Sequence, residues 1–248
     1  MRAINSALIL AEKRGEKLHV LWNVNAELGC PFEELFLPTD RFTLRNFHTK
    51  YDPGKLFLQF TNHRIGNEDI RSNRDEMGLK KEYFESLPSR LFIATEEHFF
   101  PNHDYSAFAP SAEILARADA ITKGYGKRCV GIHIRRTDNK PAIGKSSTDA
   151  FVSAMEKELT AHPETVFFLA TDDLSEEKKL RELFPDKILS HEDRDLSRAS
   201  VSGIKDALLD LICLSRTEKI IGSFFSSFTD IAADMNGIEK IIAGEDNA

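Results

Sequence analysis

The sequence predicts an α/β fold whose carboxyl-terminal half is a parallel sheet with helices on both faces. Two observations predict it. Between residues 111 and 244, short apolar runs rich in Val, Ile and Phe alternate with longer segments of helical periodicity, the pattern of strand–helix–strand units. Three of the runs end in polar clusters, RRTD, TDD and SFFSS, which such a sheet would gather at one edge. The 248 residues suffice for one large domain or two small ones. The linker KGYGKR (123–128) divides them into halves 1–122 and 123–248.

In chain order, residues 2–14 place Ile4, Leu8 and Ala11 on one helical face, with Gly15 as the stop. LHVLW (18–22) reads as a strand. A chain that opens on a helix leading into a strand lacks the first strand of a strand–helix–strand unit. Pro31 suits the first turn of a short helix, FEELF. KLFLQF (55–60) and RLFIAT (90–95) read as strands, and 61–82 as a long polar loop with some helix at its end. SAEILARADAIT (111–122) is helical. CVGIHI (129–134), TVFFLAT (165–171), KILS (187–190), KIIGS (219–223) and IEKIIAG (238–244) are strands. Helices over 148–162, 175–184, 202–218 and 226–236 separate them, the last stopped by Gly237. The sequence carries no internal repeat and no low-complexity tract.

Composition narrows the function. Hydrophobic residues make up 41% and charged residues 29%, an ordinary globular balance. A net charge of −7 argues against a general nucleic-acid binder but leaves room for a local basic pocket. No apolar stretch is long enough to span a bilayer, and the opening MRAINSALILAEKRG is interrupted by Asn5 and Ser6 and lacks a cleavage site. Cys30, Cys129 and Cys213 are far apart with no metal-ligand spacing, which fits reduced thiols in a cytoplasmic protein.

In an open parallel sheet, ligands bind beyond the carboxyl ends of the strands. GIHIRRTD ends one strand on two arginines. A guanidinium fork suits a phosphate or carboxylate, and side-chain alternation puts His133 with Arg135 on one face and Ile134 with Arg136 on the other. Arg135 is therefore the expected diphosphate clamp, with His133 beside it, while Arg136 pairs with a carboxylate. The alternative buries both arginines in an ion network with Asp138 or Asp172. Ser226 and Ser227 stand where a helix begins, so they either offer its free N–H groups to a phosphate or cap it. Asp173 and Glu176 have capping-box spacing, which leaves Asp172 to face the cleft. A paired-aspartate metal site there has no evident third ligand. Asp210 lies inside ALLDLICL, where a buried carboxylate needs a partner: an internal salt bridge, nearby backbone N–H groups, or a ligand base.

GIHIRRTD, FLATDD, GIKDALLDLICLS and SFFSSFTDIAA, in that order, resemble the three motif regions of the NodZ/α1,6-fucosyltransferases, within the clan that includes the protein O-fucosyltransferases. RAINSALILAEKRGEKLHVLW with NAELGCPFEELF is similar to the amino-terminal half of bacterial members. The resemblance implies a GT-B fold of two Rossmann-like halves. The carboxyl half would hold GDP-fucose and the amino half a glycan or other hydroxyl acceptor. It further implies inversion at the anomeric carbon with no metal and no cofactor besides the donor. Carried over by motif, Arg135 contacts the β-phosphate, Arg136 and Asp172 line the donor site, His133 and Asp210 contact the guanine side, and Ser226 and Ser227 meet the diphosphate.

The sequence departs from that family twice. A glutamate that comes soon after the arginine motif is absent from NKPAIGKSSTD, so Asp138 becomes the candidate base, ahead of Asp149, which also suits the cap of the next helix. A first strand and a GxGNRLR loop precede RAINSAL in the family, whereas Met1 stands here within that last segment. The expectation is a misassigned start or a shortened chain. The alternative function is therefore a non-catalytic GDP-sugar binder. A dehydrogenase or kinase on a similar sheet would want GxGxxG or GxxxxGK[ST], and neither occurs.

Overall fold

The computed structural model describes residues 1–48, 51–137 and 144–245. The chain divides into two compact units, Met1–Pro110 with Arg198–Val201, and Ser111–Ser197 with Ser202–Ala248.

The first unit contains α1 (Arg2–Arg14), β1 (His19–Asn23), α2 (Phe32–Leu35), β2 (Thr43–Phe47), α3 (Pro53–Thr61) and β3 (His63–Ile65). It continues with α4 (Asn67–Ser72), β4 (Arg74–Asp75), β5 (Gly78–Leu79), α5 (Lys81–Ser86) and β6 (Leu91–Ile93). Gly15 ends α1 in the left-handed conformation, φ 65°, as its position predicts. KLFLQF is helical, not a strand. Asp52 caps it by accepting from the Lys55 amide at 2.6 Å, Pro53 occupies its first turn, and its apolar residues do not strictly alternate. The expected 61–82 loop is likewise structured. Asp69 accepts from the Gly66 amide at the start of α4. Asp75 accepts from the Met77 amide, and Gly78 takes φ 123° to close the β4–β5 hairpin. Such local turn chemistry leaves little hydrophobic periodicity to read.

Among the described residues β1 pairs in parallel only with β2, and β6 in parallel only with β3. Between the two pairs lies a cavity of about 840 Å³, lined by α1, β1 and β6. At roughly 24 cal/mol per Å³, a dry void of that size would cost about 20 kcal/mol, more than the roughly 5–15 kcal/mol that holds a protein folded. The space is therefore a cleft that water enters.

The second unit contains α6 (Ala112–Thr122), β7 (Cys129–Ile134), α7 (Thr148–Ala161), β8 (Val166–Thr171), α8 (Leu174–Leu183) and β9 (Ile188–Leu189). It ends with α9 (Val201–Ser215), β10 (Lys219–Gly222), α10 (Ser227–Asn236) and β11 (Glu239–Ile242). Its five strands form one parallel sheet in the order β11-β10-β7-β8-β9. All six residues of β7 are buried, as expected of a central strand covered on both faces. Val130, Ile132 and Ile134 pack with Phe151, Met155, Phe167 and Leu169 in one core cluster. The expected helices and strands of this half are all present, with ends displaced by no more than three residues. The chain builds outward from β7 to β9, then returns to the other side of β7 for β10 and β11. The strand order thus reverses between β7 and β10, which marks the ligand crevice of such sheets. Among the described residues no helix is long and apolar enough to cross a membrane.

Glu158 of α7 ties the entry end of the sheet together. It is buried, and it accepts from Arg128 Nε at 2.8 Å and lies 2.7 Å from Lys219 Nζ. Burial alone would raise its carboxyl pKa, but the two cations hold it below the usual range. Glu158→Gln should therefore cost about 2–3 kcal/mol in chemical denaturation, the range of lost hydrogen bonds to charged groups. An unchanged midpoint would show that the two cations are satisfied without it.

Candidate active site at the strand-order reversal

The crossing of β7 and β10 is fixed by three hydrogen bonds around Ser223. His133 and Gly222 are paired in register. The Ser223 amide donates to the His133 carbonyl at 3.0 Å, and its hydroxyl lies 3.3 Å from the same oxygen. The Arg135 amide donates back to Ser223 Oγ at 3.0 Å. Arg135, half-buried at the rim, is thereby held beside the segment that leads into α10. That segment is pinned on its far side too. The Phe224 amide donates to Ser146 Oγ at 2.9 Å, and Ser146 Oγ donates to the Ala243 carbonyl at 2.7 Å. Phe225 takes φ 52°, the left-handed turn that swings the chain into the helix. Gly222 is required here, because a Cβ would lie 2.4 Å from Thr229 Cγ2.

Ser226 stands at the cap position of α10 but makes no cap hydrogen bond. Its buried hydroxyl lies 3.4 Å from His133 Nδ1 instead. The capping alternative for this serine is not what forms, and its side chain leaves the first-turn N–H groups of the helix, Ser227 included, to other partners. His133 is buried. Its Nδ1 is 2.7 Å from Thr229 Oγ1 and its ring stacks on Phe228 at 4.7 Å. Nε2 has no hydrogen-bond partner among the described residues. Burial holds its pKa down at about 4, so at neutral pH the imidazole is uncharged.

Arg136 turns to the opposite face, as alternation requires. Its Nε lies 3.4 Å from Glu176 Oε1, and its guanidinium stands 5.8 Å from the Phe151 ring centroid. Asp172 has both oxygens engaged by the loop after β7. Oδ1 accepts from the Arg136 amide at 2.7 Å, and Oδ2 from Thr137 Oγ1 at 2.6 Å and the Thr137 amide at 3.2 Å. Asp173 caps α8 through the Ser175 amide, while Glu176 reaches Thr148 and Arg136 and does not close the capping box. Asp138 lies outside the described residues.

Asp210 is buried in α9, and its Oδ1 has no hydrogen-bond partner among the described residues. The internal salt bridge that its sequence position allowed as one alternative is not among the ion pairs of the described residues. Burial pushes its pKa up to about 7, and Arg194, the largest single charge effect on it, opposes that rise. Arg194 is itself a buried side chain, bonded to Glu177 through Nη2, with Nε and Nη1 unpartnered among the described residues. Sequence reading missed Arg194, because SHEDRDLSRAS carries no periodicity. It also missed Lys145, whose Nζ stands 3.9 Å from the Phe224 ring centroid, a cation–π contact that holds a second positive charge beside the loop into α10. Among the described residues no group of three or more His, Cys, Asp and Glu is placed to hold a metal ion.

The site therefore gathers Arg135, His133, Ser223, Ser226 and the start of α10 at one crevice of the second unit. Its chemistry suits an anion at the rim. Asp210 and Arg194 are buried polar groups with unspent hydrogen-bonding capacity.

No protein-family model and no curated protein matches this sequence. Solved structures do. NodZ α-1,6-fucosyltransferase soaked with GDP-fucose is similar with a TM-score of 0.62 at 20% identity, covering 93% of this chain and 86% of that one. The fucosyltransferase NodZ from Bradyrhizobium gives 0.60 at 20% identity, over 92% of this chain and 84% of that one. POFUT1 in complex with GDP-fucose gives 0.58 at 14% identity, over 96% and 92%. The chain thus has the α/β, GT-B-like fold of these fucosyltransferases, as the sequence resemblance implied.

The two buried groups oppose each other in pH dependence. His133, with its folded pKa below the ordinary value, adds stability that is lost as pH falls from about 6.5 towards 4. Asp210, with its folded pKa raised, adds stability that is lost as pH rises from about 4 through 7. Asp210→Asn should therefore raise the melting temperature at pH 8 by about 5 °C or more and give no advantage at pH 4. The same difference at both pH values would mean that the carboxylate carries no burial penalty.

Proposed function

We propose that the chain transfers fucose from GDP-fucose to a hydroxyl of a glycan or another acceptor, with inversion at the anomeric carbon and without a metal. The observation that carries this reading is the Arg135–Ser223 bond, which places a guanidinium-bearing residue beside an uncapped helix start. The likeness to fucosyltransferases solved with GDP-fucose supports the donor.

In this reading the diphosphate lies between the Arg135 guanidinium and the first N–H groups of α10 at Ser226 and Ser227, with Lys145 adding positive charge. As the acceptor oxygen bonds to the sugar's anomeric carbon, the bond from that carbon to the β-phosphate oxygen breaks. Charge grows on the departing GDP. Donors fixed at that oxygen stabilise the transition state more than the ground state. The acceptor proton passes to a carboxylate, for which Asp138 is the proposed base. The base of the nucleotide is read by Asp210 and His133. An ionised Asp210 accepts from the N1–H and amino group of guanine, and adenine offers no such pair of donors on that edge. Arg136, held to Glu176, and Asp172, bonded to the loop, act by positioning Arg135. The site sits in the carboxyl half, 123–248, and the acceptor falls to the half 1–122.

A GDP-sugar binder without turnover is the second reading, favoured by the missing glutamate after the arginine motif. GDP-fucose hydrolysis or transfer separates the two: a binder gains thermal stability with GDP and consumes no donor.

Arg135→Ala should abolish most of the melting-temperature rise that GDP produces, leaving the unliganded fold intact. Ser227→Ala should weaken GDP only about two- to fivefold, because backbone N–H groups remain. Equal GDP stabilisation in Arg135→Ala would remove the clamp. GDP affinity should also rise between pH 6 and 8 as Asp210 ionises, and Asp210→Asn should lose that component. Identical slopes in calorimetric titrations of the two proteins would remove Asp210 from the base site.

A further inference from the structure

Arg194 is delivered to the interior of the second unit by the stretch that joins β9 to α9. Asp193 takes φ 52°, and the residue after it turns inward, with 3% of its side chain exposed. The stretch is then fixed to α9. The Asp195 amide donates to Asp206 Oδ2 at 2.9 Å, and Ser202 Oγ donates to Asp195 Oδ2 at 2.6 Å. Arg194 Nη2 binds Glu177 of α8, while Nε and Nη1 are buried with no hydrogen-bond partner among the described residues. A buried guanidinium is costly to leave half-satisfied, so these two nitrogens want an acceptor.

The cluster around Arg194 holds one open acceptor. Arg117 Nη2 stands 2.7 Å from His191 Nε2. Burial holds the His191 pKa down, so the ring is neutral. Arginine only donates, so Nε2 accepts and Nδ1 carries the proton. That Nδ1 is also buried and unpartnered among the described residues, and it adds a donor. Asp206 is committed to Arg117 and the Asp195 amide, and Glu177 to Arg194, Arg181 and Ser190. Oδ1 of Asp210 is the acceptor of the cluster that is buried with no partner among the described residues. The charges agree with the geometry. Asp206 and Glu177 disfavour the charged form of Asp210, Arg117 and Arg194 favour it, and Arg194 acts most strongly. Cys213 and Tyr125, its other titratable neighbours, are kept uncharged by burial.

We infer that Arg194 is the counter-ion of Asp210, a positioning residue that stays tethered to Glu177 through Nη2 and turns its remaining N–H groups to Oδ1 when the carboxylate is charged. The other carboxylate oxygen is then left for the N–H donors of a purine base. Glu177 fixes the guanidinium, the guanidinium fixes the carboxylate, and only the carboxylate touches the ligand. The inference rests on the reading of Asp210 as the group that meets the base, but the pairing itself can be measured in the unliganded protein.

The test uses Arg194→Met and Arg194→Lys, each alone and combined with Asp210→Asn. Glu177 keeps Arg181 and Ser190 in all of them. Without ligand at pH 8, the gain in melting temperature from Asp210→Asn should be larger by about 3 °C or more in the Arg194→Met background, where no cation offsets the buried charge. An equal gain in both backgrounds overturns the pairing. If Arg194→Met does not fold at pH 8, adding Asp210→Asn should restore folding, and no rescue overturns the pairing as well. In calorimetric titrations with GDP at pH 7, Arg194→Met should weaken binding about tenfold and move the rise in affinity upward by about one pH unit. Arg194→Lys, which keeps the charge, should recover most of that loss. In the Asp210→Asn background, Arg194→Met should change GDP affinity less than about twofold. A tenfold loss in that background too would make Arg194 a structural residue and overturn the inference. If the unmutated chain binds no GDP at any pH while the melting temperatures stay coupled, the base-site reading of Asp210 fails and the counter-ion assignment stands.

Discussion

One serine at the crossing of two strands holds the candidate site together. Ser223 is fully buried, and it binds the His133 carbonyl through its amide and the Arg135 amide through its hydroxyl. A parallel sheet does not by itself fix the chain beyond the ends of its strands, because the backbone leaves the ladder there. These bonds extend the ladder by one residue on each strand, at the point where the strand order reverses. The consequences are local and chemical. Arg135 cannot drift from the loop that opens α10, and that loop cannot drift from the sheet, since Ser146 and Ala243 hold its other side. Preorganised donors of this kind need no reorganisation when charge appears on a ligand.

The groups beneath the rim have a different economy. His133 is kept neutral by burial, with Nδ1 occupied and Nε2 unpartnered among the described residues. Asp210 is left with a buried oxygen that no described protein group satisfies. Burial shifts both groups, and the two shifts act in opposite pH directions. A ligand that offers N–H donors to the carboxylate would relieve one cost and supply a partner for the imidazole. Buried titratable groups with perturbed pKa values of this kind cluster at functional sites.

Much of the second unit was legible because its information is periodic. CVGIHI, TVFFLAT and KIIGS are buried strands bounded by turn residues, and the rule that ligands sit at strand carboxyl ends led directly to Arg135, Ser226 and Asp172. Alternation correctly separated Arg135 from Arg136, which turns to Glu176. What the sequence did not reveal depends on tertiary placement. Asp172 looked available because nothing in TDD shows that the amides of Arg136 and Thr137 arrive opposite it. Lys145 and Arg194 lie in short connecting stretches whose sequence carries no pattern. In the first unit KLFLQF read as a strand by composition, yet Asp52 and Pro53 set a helix in local geometry. The unexpected β2 and the β4–β5 hairpin are held by pairing and turn chemistry, and not by hydrophobic periodicity.

The two units also differ in how their strands are covered. The five strands of the second sheet cover one another and leave Val130, Ile132 and Ile134 with no exposure. Among the described residues the first unit has three two-stranded sheets, and Leu91, Phe92 and Ile93 of β6 are only half-buried. The most direct measurement of the central claim is a crystal structure of the protein soaked with GDP. The account predicts the β-phosphate within about 3 Å of both the Arg135 guanidinium and a backbone N–H of the first turn of α10. GDP bound elsewhere, or a diphosphate that touches only one of the two, would contradict it.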